Sequence, residues 1–98
     1  MAHRLIVSRR AEREAGEAFE WYEGQRTGLG SEFLAALDAQ LGLIEESPLV
    51  YAEVIPGVRR ALLSRFPYGV FYASKKEITS ILAVVHTSRS PHRWPRRR

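Results

Sequence analysis

The residues best equipped for chemistry lie in the second half of the chain. Arg59, Arg60 and Arg65 fall in one apolar-alternating stretch, and His86 and Arg89 close another. Side chains of this kind, gathered on one surface, can hold a phosphodiester or stabilise the extra negative charge that develops on it during cleavage. His86 also fits a second role, as a hydrogen-bonded histidine closing the core in line with Ile78, Ser80, Leu82 and Val84 on one strand face. The arginines have an alternative role too, keeping strand edges soluble or pairing with acidic side chains elsewhere. The sequence contains no HExxH motif, glycine-rich phosphate loop, nucleophile elbow or carboxylate pair, and it has no cysteine. Metal hydrolysis, nucleotide binding and acyl transfer therefore find no support, and neither a metal nor a cofactor is expected.

Charge is divided along the chain. Residues 58–98 carry ten Lys/Arg against the single acid Glu77, whereas residues 1–57 carry five Arg against ten Asp/Glu. The overall formal charge of +4 conceals this division. Thirteen of the fifteen cations are arginine, whose planar fork matches phosphate and carboxylate in a bidentate way. An acidic partner is implied, either nucleic acid or an acidic protein segment.

The elements that must position these residues follow from periodicity. Arg4 to Ser8 reads as a short strand, after which Ser8 caps a helix whose apolar face is Ala11, Ala15, Ala18, Phe19 and Tyr22 and whose polar face is filled by Glu12, Glu14, Glu17 and Glu20. Gly16 inside that helix implies close packing against a neighbour. The Thr27–Gly30 stretch, TGLG, breaks the helix; a second begins near Gly30 or Ser31, repeats Phe33, Ala36, Leu37, Leu41 and Ile44, and stops at Ser47-Pro48. So short a turn makes the two helices an antiparallel hairpin. Leu49–Gly57 reads as irregular, and three strands follow: one from Val58, one from Tyr68 after Pro67, and one over Ile78–His86, with a hairpin turn at Ser74–Glu77. The last strand is apolar on both faces and so is expected to be a central strand rather than an edge, with Leu82 and Val84 buried. The result is an α+β fold of order β-α-α-β-β-β, with the helical hairpin packed on a mainly antiparallel sheet. Ninety-eight residues suit one domain, 1–98, with about 95–98 a frayed basic tail. The absence of a signal-like N-terminus, of a membrane-length apolar run and of cysteine suits a cytoplasmic protein.

Trp21 and Tyr22 form a second constellation. Tyr22 faces the sheet in the helical register, and Trp21, turned about a third of a revolution away, is placed to anchor a protein partner. A Trp covering the edge of the core, or packing on Trp94, is the structural alternative.

Particular words now join this order of elements: WYE at Trp21–Glu23, GLG at Gly28–Gly30 with Phe33, RR.LL.RFPY.V.Y from Arg59 to Tyr72, and H..R.P..W from His86 to Trp94. Together they resemble the ParE/RelE superfamily of toxins from bacterial type II toxin–antitoxin modules, often labelled plasmid stabilisation proteins. The resemblance implies a growth-inhibiting protein neutralised by a cognate antitoxin. The ParE branch poisons DNA gyrase, whereas the RelE branch cleaves messenger RNA on the ribosome without a metal. Carried over to this chain, RelE-type basic groups fall on Arg59 or Arg60, Arg65 and Arg89, with His86 added if the chain is a ribonuclease. The lysines and C-terminal tyrosine of that branch have no match. The WYE helix and GLG hairpin look more ParE-like, so gyrase inhibition is the expected activity, with ribosome-dependent cleavage and non-toxic nucleic-acid binding as alternatives. For the antitoxin, Trp21, Tyr22, Arg65 and Arg89 are the expected contacts, and an acidic segment that folds on binding is the expected partner.

Overall fold

The computed structural model describes residues 4–88. Strand β1 (Arg4–Val7) leads into helix α1 (Arg9–Gln25) and helix α2 (Leu29–Glu46). Strands β2 (Glu53–Ile55), β3 (Val58–Leu62), β4 (Tyr68–Lys75) and β5 (Ile78–His86) complete the described chain. They form one five-stranded sheet of order β1-β5-β4-β3-β2, in which β1 runs parallel to β5 and every other pair is antiparallel. The expected α+β architecture is present with one addition, β2. Its three residues, Glu53, Val54 and Ile55, are too few to display an alternating pattern, and they pair with β3 through a register shift. The expected frayed tail at 95–98 lies outside the described residues.

Ser8 joins the first strand to the first helix and both to β5. Its Oγ accepts the Ala11 N–H at 3.0 Å as an N-cap and donates to the Leu82 carbonyl at 3.1 Å, while its own N–H donates to Ile81 O at 3.0 Å. One residue thus satisfies an orphan helix donor and two carbonyls of a strand that β1 has ceased to cover. Six residues on, the Glu14 carboxylate continues the task, accepting the Val84 N–H at 2.8 Å through Oε1 and the Arg10 Nε–H at 3.0 Å through Oε2.

The helical hairpin is closed by Glu23. Its two carboxylate oxygens each accept a backbone N–H from the start of α2, Oε2 from Gly28 and Oε1 from Gly30, both at 2.9 Å. A carboxylate held against free N–H groups at a helix N-terminus is favoured both by hydrogen bonding and by the helix dipole. Gly28, at φ 93°, turns the chain in the left-handed region. Gly30 serves for a different reason: a Cβ there would lie 2.7 Å from both the Phe19 carbonyl oxygen and the Phe19 ring. The close packing expected at Gly16 is absent, since Gly16 is exposed and a Cβ on it would meet nothing within 4 Å. The close helix–helix approach lies at Gly30 instead, because a glycine's spacing within one helix says nothing about where a second helix crosses it.

Between hairpin and sheet lies a group of rings. Tyr22 stacks on Phe33 with centroids 5.4 Å apart and meets Phe66 edge-on at 5.0 Å, and Phe33 meets Tyr68 edge-on at 5.1 Å. Leu37, Ile44, Val70, Tyr72, Ile81 and Val84 extend this core. A bulge in β5 sets which residues join it. Phe71 pairs with Ala83 but Tyr72 pairs with Ile81, so Leu82 is the extra residue. Ile81 and Val84 therefore both pack under the helices, while Leu82 lies half-buried on the other face with Ala83, Phe71 and Val85. This corrects the expectation that Leu82 is buried beside Val84: strict alternation fails at the bulge, and the face changes there. Among the described residues no helix is long and apolar enough to cross a membrane.

Two substitutions test the hairpin. Glu23→Ala removes both acceptors from Gly28 and Gly30 and is expected to cost about 1–2 kcal/mol in urea unfolding. Gly30→Ala forces its methyl onto Phe19 and is expected to cost about 1–3 kcal/mol, whereas Gly16→Ala is expected to stabilise slightly in the same measurement.

Candidate functional site

Arg59 and Arg60 are neighbours in β3 and so face opposite sides of the sheet. Arg59 turns to the helix side, half-buried, with Nη1 donating to Tyr51 O at 2.6 Å and to Leu49 O at 3.4 Å, and Nη2 reaching the Glu53 carboxylate at 3.5 Å. It holds the loop between α2 and β2 against the sheet. The same loop is held from below by Tyr72, whose hydroxyl donates to Pro48 O at 2.7 Å, and burial pushes that phenol above its usual range. Arg60 is exposed on the far face, where its aliphatic stem crosses Gly69. A Cβ at Gly69 would lie 3.2 Å from Arg60 Cδ.

Arg65 occupies the turn between β3 and β4 with φ at 75°, a left-handed conformation that costs a non-glycine residue about 1–2 kcal/mol. Two contacts hold it there. Its Nη2 lies 2.9 Å from Glu32 Oε1 at the start of α2, and its guanidinium carbon sits 5.1 Å from the Phe66 ring centroid. The hydrogen bond from Arg65, aided by Arg26 at 3.4 Å, keeps the Glu32 carboxyl below the usual carboxylate range. His86 ends β5 opposite Tyr68, with ring centroids 5.1 Å apart. Its Nδ1 accepts the Ser88 N–H at 3.0 Å and has Ser88 Oγ at 2.8 Å. Accepting at Nδ1 leaves the neutral ring's proton on Nε2.

Arg65 and His86 therefore lie toward the same end of the sheet, joined by the bond from Thr87 N–H to Pro67 O at 2.8 Å. Arg59 sits further along, opposite Tyr72, and Arg60 is on the other face. Arg89 lies outside the described residues, as do His92 and Trp94.

The sites expected at Trp21 and Tyr22 separate in the same way. Tyr22 is a core ring, 8% exposed, its phenol raised by burial; Trp21 is 59% exposed and meets the Tyr22 ring edge-on at 5.1 Å. Trp21 stands in a stripe of α1 with Glu14, Glu17 and Ala18, the spacing of one helix face. Opposite this stripe are Tyr68, Val84, His86 and Ser88, and a groove of about 440 Å³ runs between the two sides. Sequence reasoning placed Glu14 with the solvent-facing carboxylates of α1 and gave Glu23 no role of its own. Only the partners supplied by β5 and α2 distinguish these two, although Glu23 had a signal in its short distance from a glycine turn. Among the described residues no group of three His, Asp or Glu side chains is placed to hold a metal ion.

Residues 5–91 match the family model described as the ParE toxin of the type II toxin–antitoxin system, parDE. Two solved structures share the fold. A chain of the chromosomal ParDE toxin–antitoxin system of P. aeruginosa superposes with a TM-score of 0.66 at 19% identity, covering 86% of this chain and 95% of that one. The isolated E. coli RelE toxin superposes with a TM-score of 0.67 at 22% identity, covering 94% of this chain and 92% of its own. No curated protein matches the chain significantly.

The geometry separates arginines that stabilise the fold from those that do not. Arg59→Ala is expected to cost about 1–3 kcal/mol in chemical unfolding, because two carbonyls lose a charged donor, and Arg60→Ala less than about 1 kcal/mol. Glu32 has a depressed folded-state pKa, so its contribution is present above the unfolded carboxylate value and is lost as pH falls through the lower folded value. Glu32→Gln is expected to flatten the acid limb of a stability–pH curve on the low side of about pH 4.3 and to leave its neutral-to-alkaline shape unchanged.

Proposed function

Because the chain belongs to the ParE toxin family of type II toxin–antitoxin systems, we propose that it arrests growth by binding DNA gyrase and catalyses no reaction of its own. Membership implies a cognate antitoxin that holds the toxin silent. The observation that carries the gyrase reading is the disposition of Arg59, Arg60 and Arg65. Cleavage of a phosphodiester by basic residues requires several donors aimed at one developing oxyanion. Here Arg59 spends its donors on Tyr51 O, Leu49 O and Glu53, Arg60 is on the opposite face, and Arg65 is paired with Glu32. His86 uses Nδ1 to accept from Ser88. These are the interactions of residues that shape a binding surface.

Antitoxin contacts are assigned in this reading to exposed Trp21 and to Arg65 and Arg89, with Tyr22 acting from beneath as the ring that orients Trp21. Two assays on one preparation of toxin decide the activity. The expected outcome is inhibition of gyrase supercoiling, with cleaved DNA trapped on the enzyme and relieved by antitoxin, and no cleavage of messenger RNA in a translating extract. Messenger cleavage in the extract that is lost in His86→Gln or Arg65→Ala, with supercoiling unaffected, would replace this reading with ribosome-dependent ribonuclease activity.

A further inference from the structure

We propose that the groove between α1 and the C-terminal end of β5 docks an arginine side chain carried on an extended segment of a protein partner. Three features of the groove fit that occupant. The first is Trp21, which is 59% exposed although the core beneath it is already closed by Tyr22, Phe33 and Phe66. An indole left open to solvent beside two tyrosine rings, Tyr22 and Tyr68, supplies a π-system on which a cation can stack.

The second feature is charge. Glu14 and Glu17 both line the groove, but they are differently committed. Glu14 is satisfied by the Val84 N–H and the Arg10 guanidinium. Among the described residues Glu17 is paired with Arg13 alone, at 3.9 Å and with both side chains largely exposed, an ion pair worth little. Glu17 therefore offers a carboxylate one helical turn before Trp21, on the same face of α1. A planar guanidinium can stack on an indole while its fork meets a carboxylate, a combination that an apolar or anionic side chain cannot use. An apolar occupant would desolvate Glu17 without replacing its hydration, and a phosphate would be repelled by it.

The third feature is size. About 440 Å³ falls within the range of about 300–1,000 Å³ typical of small-ligand sites, so the groove has room for a long side chain. The groove is set on a helix and a strand whose positions are fixed by Ser8 and Glu14, so it exists before any ligand arrives. The inference concerns the acidic, aromatic side of the molecule and does not depend on gyrase being the target.

The test uses the full chain carrying Trp94→Phe, which leaves Trp21 as the single tryptophan, and the peptide acetyl-Gly-Arg-Gly-amide as probe. Saturable change in tryptophan emission is expected, together with amide shifts at Val84, His86 and Ser88, at an affinity in the millimolar range. The isosteric citrulline peptide, which lacks the charge, is expected to bind several-fold more weakly. Glu17→Gln is expected to weaken the arginine peptide by about threefold, and Trp21→Leu, followed by amide shifts, by about fivefold. Glu12→Gln, on the same helix but outside the groove, serves as a control and is expected to leave the affinity unchanged. Equal binding of the citrulline peptide, shifts confined to another surface, no saturable change, or an affinity indifferent to Glu17 would each overturn the assignment. Coincident thermal melts of the variants establish that any loss is one of binding.

Discussion

The structure depends on a carboxylate that bridges two backbone N–H groups. Glu23 comes from the last turns of α1 and accepts from Gly28 and Gly30, so the end of one helix caps the start of the next. The bridge fixes the angle and offset of the hairpin, and with them a close approach of the helices at Gly30 against Phe19. That offset brings Tyr22 of α1 over Phe33 of α2, and the stacked pair is then wide enough to receive Phe66 and Tyr68 from the sheet. A short polar contact at the turn thus sets the register of a core some distance from it. The words WYE and GLG are two ends of one interaction, Glu23 of the first accepting from Gly28 and Gly30 of the second.

The division of charge along the chain is partly answered within the molecule. Arg65 of the basic half pairs with Glu32 of the acidic half, and Arg59 with Glu53. The first ties the β3–β4 turn to α2; the second joins strands β3 and β2, beside the bonds by which Arg59 holds Leu49 O and Tyr51 O. Exposed pairs of this kind add little stability individually, but here they act on backbone that would otherwise be free to move: Arg65 itself in a left-handed conformation, and the loop after α2. The strongly one-signed composition of residues 58–98 therefore speaks both of folding and of partners, and the two uses can be told apart only residue by residue.

The surface left after this accounting is asymmetric. Around α1 and the end of β5 it is aromatic and acidic, with Trp21 exposed and Glu17 held only by a long ion pair among the described residues; on the far face of the sheet it is apolar with exposed Arg60. Membership of the ParE family implies a cognate antitoxin, and two chemically distinct faces on so small a domain offer a partner more than one kind of surface to recognise.

How much of this was legible beforehand depends on the range of the forces involved. The α+β order, the helical hairpin, the extent of β5 and its position inside the sheet were all readable, because periodic burial and turn chemistry are local and leave their mark at fixed spacings. Charge division was readable as simple arithmetic on residue types. The bulge that turns Leu82 away from Val84 was not, since it arises from how β4 and β5 register against each other. Nor was the role of Gly30 as the crossing point in place of Gly16, which required knowing where two helices meet. Glu14 and Glu23 looked like any solvent-facing glutamates until β5 and α2 supplied the backbone donors that bind them. Arg59, Arg60 and Arg65 appeared as one set in sequence, and tertiary structure divided them: side chains of adjacent strand residues point to opposite faces, and only the folded chain decides which of them already has a partner.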